Sequence, residues 1–484
     1  MNVRALLLSV ALSLSATCAF GAAERIKLAP CQLEGIGGEV LCGTHIVLED
    51  PKKPKGRTIP LFVAVLAANE KPAAPDPLFI LAGGPGQGAS SIVGFVGRAF
   101  ADVRKRRDLV LVDLAGTGRS QPLNCRMFST PQDLVGDFYP VTAVRACRAQ
   151  LEKITELRRY TTSQLVDDLD QVRAALGYDQ VNLYGTSYGS RAALEYVRRH
   201  GAQVRSIVLK AVAPATMAGT MHYAADMERS LRQLFDACRA EVACSNAYPN
   251  VEAELREVLA RAERGELRAS VPVDSAESKV ELPISRAAIA TTFLAWLQNS
   301  NAAVRLPQLV HATYHGDVQP LVEAIVDYRR ALEAGIGYGM HLSVLCTEDA
   351  PRMDPARAAR EDRATALGDH RVATLAAACR EWPKGSLPRG HQQPVRSSVP
   401  ALLISGTLDP NTNETWGEEA ARSLSRSTHV VIPNLSHGFS SIAECGSDFI
   451  TRFVEAASAE GIDFSCKDRV RLRPFPLPER AGAQ

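Results

Sequence analysis

The sequence has 484 residues and a formal net charge of +2, and 22% of its residues are charged. A chain of this length can bury a large core and is long for one domain, so we expect at least two lobes. Charges of both signs are interspersed, which leaves no electrostatic footprint for nucleic acid. We therefore expect a globular protein without a nucleic-acid partner.

The N-terminus is typical of an export signal. Arg4 supplies a positive charge, residues 5–16 form an apolar run, and residues 18–23 offer small side chains for signal peptidase. The apolar run is too short to span a membrane, and no later run is long and apolar enough to do so. A lipoprotein signal ending at Cys18 is the lesser alternative, because Ser15 stands where such signals place leucine. We expect export, either to the periplasm or out of the cell.

Of the 11 cysteines, one lies in the predicted signal, which leaves an even number in the mature chain. An even number suits an oxidising compartment and disulfide bonds. A metal site is disfavoured, because the sequence has no Cys-x-x-Cys pair and no His-Glu-x-x-His motif. Many connectivities are open, and pairing neighbours along the chain gives Cys31–Cys42, Cys125–Cys147, Cys238–Cys244, Cys346–Cys379 and Cys445–Cys466.

Strands and helices alternate along most of the chain, as a parallel sheet requires. A helix with one apolar face is predicted over 165–176 and ends at Gly177, and another strand follows at once. The sequence from 215 to 396 is instead rich in Ala, Arg, Glu and Leu at helical spacing and has few strand signals. The predicted strands are 59–67, 78–81, 107–113, 181–184, 204–213, 400–406 and 428–433.

These patterns predict an α/β protein whose mostly parallel sheet has helices on both faces and is interrupted by a large, mainly helical cap. The predicted divisions are a signal peptide at 1–23, the first part of the core at 24–214, the cap at 215–396 and the second part of the core at 397–484.

A Gly-x-Ser-x-Gly pentapeptide, Gly185 to Gly189, lies between a predicted strand and a predicted helix. Small residues at both ends let the chain turn sharply enough to present Ser187 above the edge of a sheet. Ser187 is therefore a candidate nucleophile. The alternative is an ordinary serine in a surface turn.

A serine nucleophile needs a base, and the base needs a third group to orient it. Asp409 follows one late predicted strand and His437 follows the last, in the order that α/β-hydrolases use. Taken singly, an Asp before Pro starts many turns and a His before Gly is usually a loop residue. Three matches in order predict a Ser187–His437–Asp409 triad. The remaining histidines have no such companion, and Asp113, which precedes the nucleophile, is interpreted as structural.

A glycine-rich loop, 82–88, follows the strand that ends at Leu81. Such a loop can bring backbone N–H groups close to a ligand oxygen, although a plain tight turn would have the same composition.

Five short motifs follow one another along the chain at 81–87, 113–120, 185–189, 405–409 and 437–438. Together they resemble the secreted tripeptidyl aminopeptidases and the related proline iminopeptidase-type α/β-hydrolases. The resemblance implies an α/β-hydrolase fold, the triad above, and an oxyanion hole formed by the backbone N–H groups of Gly83 and Tyr188. The chain departs from the usual motifs at Ala82, where proline iminopeptidases usually place histidine. Further departures fall at Leu114, Ala115 and residues 410–413.

A peptidase that acts on free N-termini needs an acidic group for the substrate ammonium. Glu348 and Asp349 are candidates, because a disulfide at Cys346 would hold them on a fixed turn. The alternative is a solvated acidic loop.

Three functions remain open. The favoured one is an exported serine exopeptidase with short peptides as substrates, the second is a carboxylesterase with the same triad, and the third is a non-catalytic binding protein on a hydrolase scaffold. The chemistry of the triad needs no cofactor and no metal.

Overall fold

A computed structural model describes residues 25–273, 278–368, 370–438 and 445–478. The predicted signal peptide, 1–23, lies outside the described residues. Eleven strands are present in this part of the chain. They are β1 (Ala29–Cys31), β2 (Val40–Leu48), β3 (Thr58–Leu66), β4 (Leu78–Leu81), β5 (Leu109–Val112), β6 (Val181–Ser187), β7 (Val204–Val212), β8 (Arg268–Pro272), β9 (Lys279–Pro283), β10 (Ala401–Gly406) and β11 (Ser427–Ile432).

Helices separate many of these strands and follow the last one. The α-helices of the described residues are α1 (Val93–Ala99), α2 (Ala101–Arg106), α3 (Pro131–Val135), α4 (Val141–Leu151), α5 (Thr162–Leu176), α6 (Tyr188–His200), α7 (Tyr223–Ala240), α8 (Val242–Ala247), α9 (Val251–Glu263), α10 (Arg286–Leu297), α11 (Ser300–Ala303), α12 (Leu306–Tyr314), α13 (Gln319–Gly335), α14 (Tyr338–Val344), α15 (Pro355–Ala364), α16 (His370–Glu381), α17 (Glu414–Ala421) and α18 (Gly446–Ala456).

Nine strands form one sheet in the order β1-β2-β3-β5-β4-β6-β7-β10-β11. The pairs from β1 to β5 are antiparallel, and the pairs from β5 through β4, β6, β7 and β10 to β11 are parallel. Parallel strands need crossover connections, and helices in the crossovers cover the sheet. The loops after β4, β6, β10 and β11 therefore meet at one edge, which confirms the predicted fold class.

Both faces of the sheet are buried. In β4, Phe79 and Leu81 pack into one hydrophobic cluster and Leu78 and Ile80 into the other, as alternation along a strand requires. The first cluster continues into residues between β7 and β10, such as Leu255. The second contains residues of α1, α2 and α18. The sheet is thus covered by helices on each side.

The chain between β7 and β10 contains α7 to α16 and one two-stranded hairpin, β8–β9. The helical spacing of this stretch predicts its helices but not the hairpin. The two strands are short, and every second residue of β9 is exposed, so they carry none of the apolar runs that mark the central strands.

Five disulfide bonds link cysteines that are neighbours along the chain, and they are the five pairs given above. Cys346–Cys379 joins the segment after α14 to α16. In the described part of the chain, no helix has both the length and the apolar character that a membrane crossing demands.

Candidate active site

Ser187 ends β6, and α6 begins at the next residue. Its backbone has φ 56° and ψ −126°, a conformation that non-glycine residues rarely adopt. A Cβ atom at Gly189 would overlap the backbone oxygen of Leu81, and one at Gly185 would overlap that of Gly189. Only glycine therefore allows this turn, which holds the serine above the sheet edge.

His437 follows β11 and joins two of the predicted site residues. Its Nε2 lies 2.9 Å from Ser187 Oγ. Its Nδ1 lies 2.9 Å from Oδ2 and 3.0 Å from Oδ1 of Asp409, which follows β10. The structure thus brings together three side chains that are separated by up to 250 positions in sequence.

Asp409 is buried, with 1% of its surface exposed. Its Oδ1 accepts hydrogen bonds from the backbone N–H groups of Asn411 at 2.8 Å and Thr412 at 2.9 Å, and Oδ2 accepts one from Thr412 Oγ1 at 2.9 Å. Burial alone raises the pKa of Asp409, but attraction to His437 and these hydrogen bonds outweigh it and hold the pKa well below its ordinary value. The carboxylate stays ionised and can orient the imidazole.

Lys210, on β7, is a buried cation beneath the histidine loop. Its Nζ donates to the backbone oxygens of His437 at 2.6 Å, Gly438 at 2.8 Å and Ser436 at 3.3 Å. Burial lowers the pKa of Lys210 to about 8, against an opposing attraction to Asp409. An ammonium has three donors for three carbonyls, so protonated Lys210 fixes the loop that carries the histidine.

Lys210→Met is expected to lower kcat about 10- to 100-fold, because displacing a catalytic group by about 1 Å costs that much. Below pH 8 wild-type Lys210 keeps all three donors, so wild-type kcat should fall as the pH rises through about 8. The variant should lack this alkaline limb. Steady-state kinetics between pH 6 and about 10 measure both effects, and a variant profile identical to that of the wild type would contradict the positioning role.

Gly83 lies against the serine. A Cβ built on it would be 3.3 Å from Ser187 Cβ and 3.8 Å from Ser187 Oγ. Tyr188 is the first residue of α6, so its N–H has no acceptor within the helix. Both predicted oxyanion donors therefore belong to the immediate surroundings of Ser187. Their role stays a prediction.

His341, in α14, holds the glycine-rich loop from the cap side. Its Nδ1 lies 2.8 Å from the backbone oxygen of Pro85, and its Nε2 lies 2.8 Å from Tyr139 Oη. Burial lowers the pKa of His341 to about 4. A neutral ring donates from Nδ1 to the carbonyl and accepts at Nε2 from the phenol. The sequence around His341 is helical and contains no companion motif, so it does not mark this histidine as a site residue.

Two cavities open at Ser187. The larger has a volume of about 330 Å³, and its lining includes Gly83, Gln87, Leu332 and His437. The smaller has a volume of about 50 Å³ and extends past Tyr188 towards Asp349. Arg371 and Tyr223 line both. A molecule bound at Ser187 can therefore extend into either cavity.

Glu348 is buried and does not line either cavity. Oε1 accepts from the Thr162 backbone N–H at 2.7 Å. Oε2 accepts from Thr162 Oγ1 at 2.9 Å and lies 3.2 Å from His391 Nε2. Both oxygens are therefore used inside the protein, and the expectation of a solvated acidic loop is wrong for this residue.

Asp349 is equally buried but lines the smaller cavity. Its Oδ1 lies 2.8 Å from Arg191 Nη1 and 3.0 Å from Arg352 Nη2, and its Oδ2 has no hydrogen-bond partner. Two guanidinium groups thus share one carboxylate. The predicted role of Asp349 in holding a substrate ammonium stays a prediction.

Asp113, which the sequence analysis interpreted as structural, joins two loops. Oδ1 accepts from the Ser90 backbone N–H at 2.8 Å, and Oδ2 accepts from Ser90 Oγ at 2.7 Å and from the Arg119 backbone N–H at 2.8 Å. It does not line either cavity at Ser187. These contacts tie the segment after the glycine-rich loop to the loop after β5.

Among the described residues, one group has the composition of a metal site. Potential ligand atoms of Glu254, His311 and His315 lie within 4.8 Å of one another. The Glu254 carboxylate already pairs with His311 Nδ1 at 3.0 Å. The group spans α9 and the end of α12 and does not line either cavity at Ser187. Motif searches miss it because its members come from different helices.

A serine on a strained strand-to-helix turn, with an aspartate and a histidine on later loops, is the arrangement that defines α/β-hydrolases. The chain belongs to the alpha/beta hydrolase fold family, whose model matches residues 76–443.

Particular relatives are named as peptidases. The serine protease Hip1 of Mycobacterium tuberculosis is 30% identical over 216 residues, which are 38% of this chain and 39% of that protein. The matched region thus spans well under half of that relative. The tripeptidyl aminopeptidase of Streptomyces coelicolor is 24% identical over 472 residues, or 90% of this chain and 84% of the relative. The proline iminopeptidase of Xylella fastidiosa is 31% identical over 28% of this chain and 32% of its own length.

Solved structures give a more distant likeness. The proline iminopeptidase of Mycobacterium smegmatis is 16% identical, with a TM-score of 0.42, over 86% of this chain and 100% of that chain. A hydrolase from Pseudomonas aeruginosa is 15% identical, with a TM-score of 0.38, over 87% of this chain and 98% of that chain.

Proposed function

We propose that this protein is an exported serine aminopeptidase that releases short peptides or single residues from free N-termini. The hydrogen-bonded series Ser187–His437–Asp409 beside a substrate-sized cavity carries the proposal. The likeness to a tripeptidyl aminopeptidase over 90% of the chain favours a peptide bond over an ester. The signal-like N-terminus and five disulfides support export.

In the first step, Ser187 Oγ attacks the scissile carbonyl carbon while His437 Nε2 takes the hydroxyl proton. Ionised Asp409 accepts from Nδ1–H and stabilises the imidazolium. Negative charge develops on the carbonyl oxygen, and we assign its stabilisation to the backbone N–H groups of Gly83 and Tyr188. His437 then gives its proton to the leaving amine, which breaks the peptide bond and leaves an acyl group on Ser187.

In the second step, water attacks the acyl carbon. His437 takes a proton from the water and returns it to Ser187 Oγ as the ester bond breaks. The product carboxylate leaves and the serine is free again. Lys210 and His341 do not touch the reacting atoms in this scheme; they position the histidine loop and the glycine-rich loop respectively.

Within this proposal, the candidate for the substrate ammonium is Asp349 and not Glu348. Asp349 lines the cavity beside the nucleophile and has one oxygen without a hydrogen-bond partner. Glu348 has no such oxygen. A charge-assisted hydrogen bond to an ammonium is the interaction that such an oxygen can make.

The test compares a free-amino tripeptide anilide, its N-acetylated twin and a short acyl ester as substrates of the wild type. We expect turnover of the free-amino anilide and at least about tenfold lower kcat/KM for the acetylated twin, because acetylation removes the charge. Turnover of the ester alone would favour the carboxylesterase. If no substrate were turned over, the non-catalytic binding protein would become the better description.

A further inference from the structure

Arg371 stands near the start of α16 and lines both cavities at Ser187. Its guanidinium carbon lies 4.3 Å from the centroid of the Phe138 ring and 5.2 Å from that of the Tyr223 ring. Stacking on two aromatic rings fixes the plane of the guanidinium and offsets part of its desolvation. The result is an oriented cation beside the nucleophile.

No carboxylate oxygen lies within 4.0 Å of the Arg371 guanidinium among the side chains that the structure describes, a set that leaves out Glu361, Asp362 and Asp369, and the buried Nε of Arg371 has no hydrogen-bond partner there. The titratable groups nearest to it are the phenols of Tyr139, Tyr223 and Tyr328, together with His341. Burial raises the pKa of Tyr139 to about 12 and lowers that of His341 to about 4, so both are neutral at neutral pH. Among the residues whose side chains the structure describes, Arg371 therefore has phenols beside it and no carboxylate counter-ion.

Neighbouring groups do not offset the positive charge of Arg371. Arg329 contacts the same Phe138 ring at 5.2 Å, and its guanidinium donates to the backbone oxygens of Gly136 and Asp137. In the smaller cavity, the Asp349 carboxylate is already shared by two arginines. Burying a cation away from water without an anionic partner costs free energy, unless a ligand supplies the opposite charge.

We propose that Arg371 binds a carboxylate of the substrate and that the enzyme acts preferentially on short peptides bearing such a group. The inference rests on the proposed peptidase function and specifies its substrate class. A guanidinium presents paired donors that match the two oxygens of a carboxylate. The carboxylate can be the C-terminus of a di- or tripeptide or an acidic side chain. Apolar lining at Ala331, Leu332 and Ile336 accommodates the rest of the bound residue.

The test uses three free-amino tripeptides that share one scissile bond: a free acid, its C-terminal amide, and an amide ending in glutamate. Cleavage is followed by chromatography. We expect wild-type kcat/KM for the free acid to exceed that for the neutral amide about 10- to 100-fold, as hydrogen bonds to charged groups allow. High activity on the glutamate-containing amide as well would show that a side-chain carboxylate can also serve.

Arg371→Met should remove this preference: the ratio of kcat/KM for the free acid to kcat/KM for the neutral amide should fall about 10- to 100-fold, to about one. Arg371→Lys should restore part of it. Arg305→Met is the matched control, because Arg305 also stacks on an aromatic ring, that of Trp296 at 5.2 Å, but lines neither cavity. Arg305→Met should leave kcat/KM for all three peptides at the wild-type value.

Calorimetric binding of the free acid and the neutral amide to Ser187→Ala, with and without Arg371→Met, gives a readout that does not depend on turnover. Equal affinity for both peptides, or an equal loss on both in the Arg371→Met background, would overturn the carboxylate site. Wild-type cleavage of acid and amide at equal rates would overturn it while leaving the peptidase function intact. Selective binding of the acid without cleavage of any peptide would instead overturn the peptidase function alone.

Discussion

Ser187→Ala is expected to reduce turnover of the free-amino tripeptide anilide by roughly 10⁴- to 10⁶-fold. The variant has no oxygen 2.9 Å from His437 Nε2 to attack the carbonyl, so no acyl-enzyme forms. Residual catalysis by the rest of the site limits how large this loss of turnover can be. Steady-state kinetics measure the loss, and mass spectrometry after reaction with a phosphonate inhibitor should show an adduct on the wild type and none on the variant.

The matched control is Ser129→Ala. Ser129 is exposed, and its hydroxyl donates only to the backbone oxygen of Arg126 at 3.4 Å. This variant should keep wild-type kcat and form the inhibitor adduct. Substantial activity in a correctly folded Ser187→Ala preparation would refute the nucleophile assignment, and with it the acyl-enzyme mechanism.

The second large effect is expected for Asp409→Asn, which should lower kcat by about 10³- to 10⁴-fold. Asparagine fits the same space but carries no charge, and its amide can present a donor to His437 Nδ1. The imidazole then adopts the tautomer with Nε2–H, which cannot take the Ser187 proton. The effect should fall on kcat, with KM changed little, because Asp409 lies behind the histidine and lines neither cavity.

Asp226→Asn is the control for this substitution. Asp226 is buried close to Asp409, and burial raises its pKa to about 7, so the neutral amide resembles a form that the native side chain already populates. It hydrogen-bonds with Asn413 and Trp416 and makes no contact with His437. We expect kcat within about threefold of the wild type. A similar loss in both variants would mean that burial of charge, and not orientation of His437, explains the Asp409 effect.

The fold class was predictable because its signals are local. Gly177 ends α5 with φ 85°, and glycine is the usual residue at such a left-handed helix end. Buried strands such as β10 appear in the sequence as continuous apolar runs. The β8–β9 hairpin was not predictable in this way, because its strands are short and every second residue of β9 is exposed. Its place in the cap depends on packing against neighbouring helices.

The candidate site was predictable for a similar reason. Ser187, Asp409 and His437 each follow a strand, and parallel strands bring their carboxyl ends to one edge, so sequence order alone brings these residues together. Asp349 and Glu348 show what the sequence could not predict. The acidic pair is visible in the sequence, but the arginine, threonine and histidine side chains that hydrogen-bond to the two carboxylates come from distant segments.

The sequence by itself left the cysteine connectivity open, but it determined the alternation of strands and helices, the turn at Ser187 and the triad candidates. These follow from backbone preferences and from spacing, which act over a few residues. Only the tertiary structure decided that Lys210 holds the histidine loop, that His341 holds the glycine-rich loop, and that Arg371 lines both cavities with no carboxylate partner among the described side chains. Whether a buried charge is paired depends on which segments pack around it, and no local pattern encodes that.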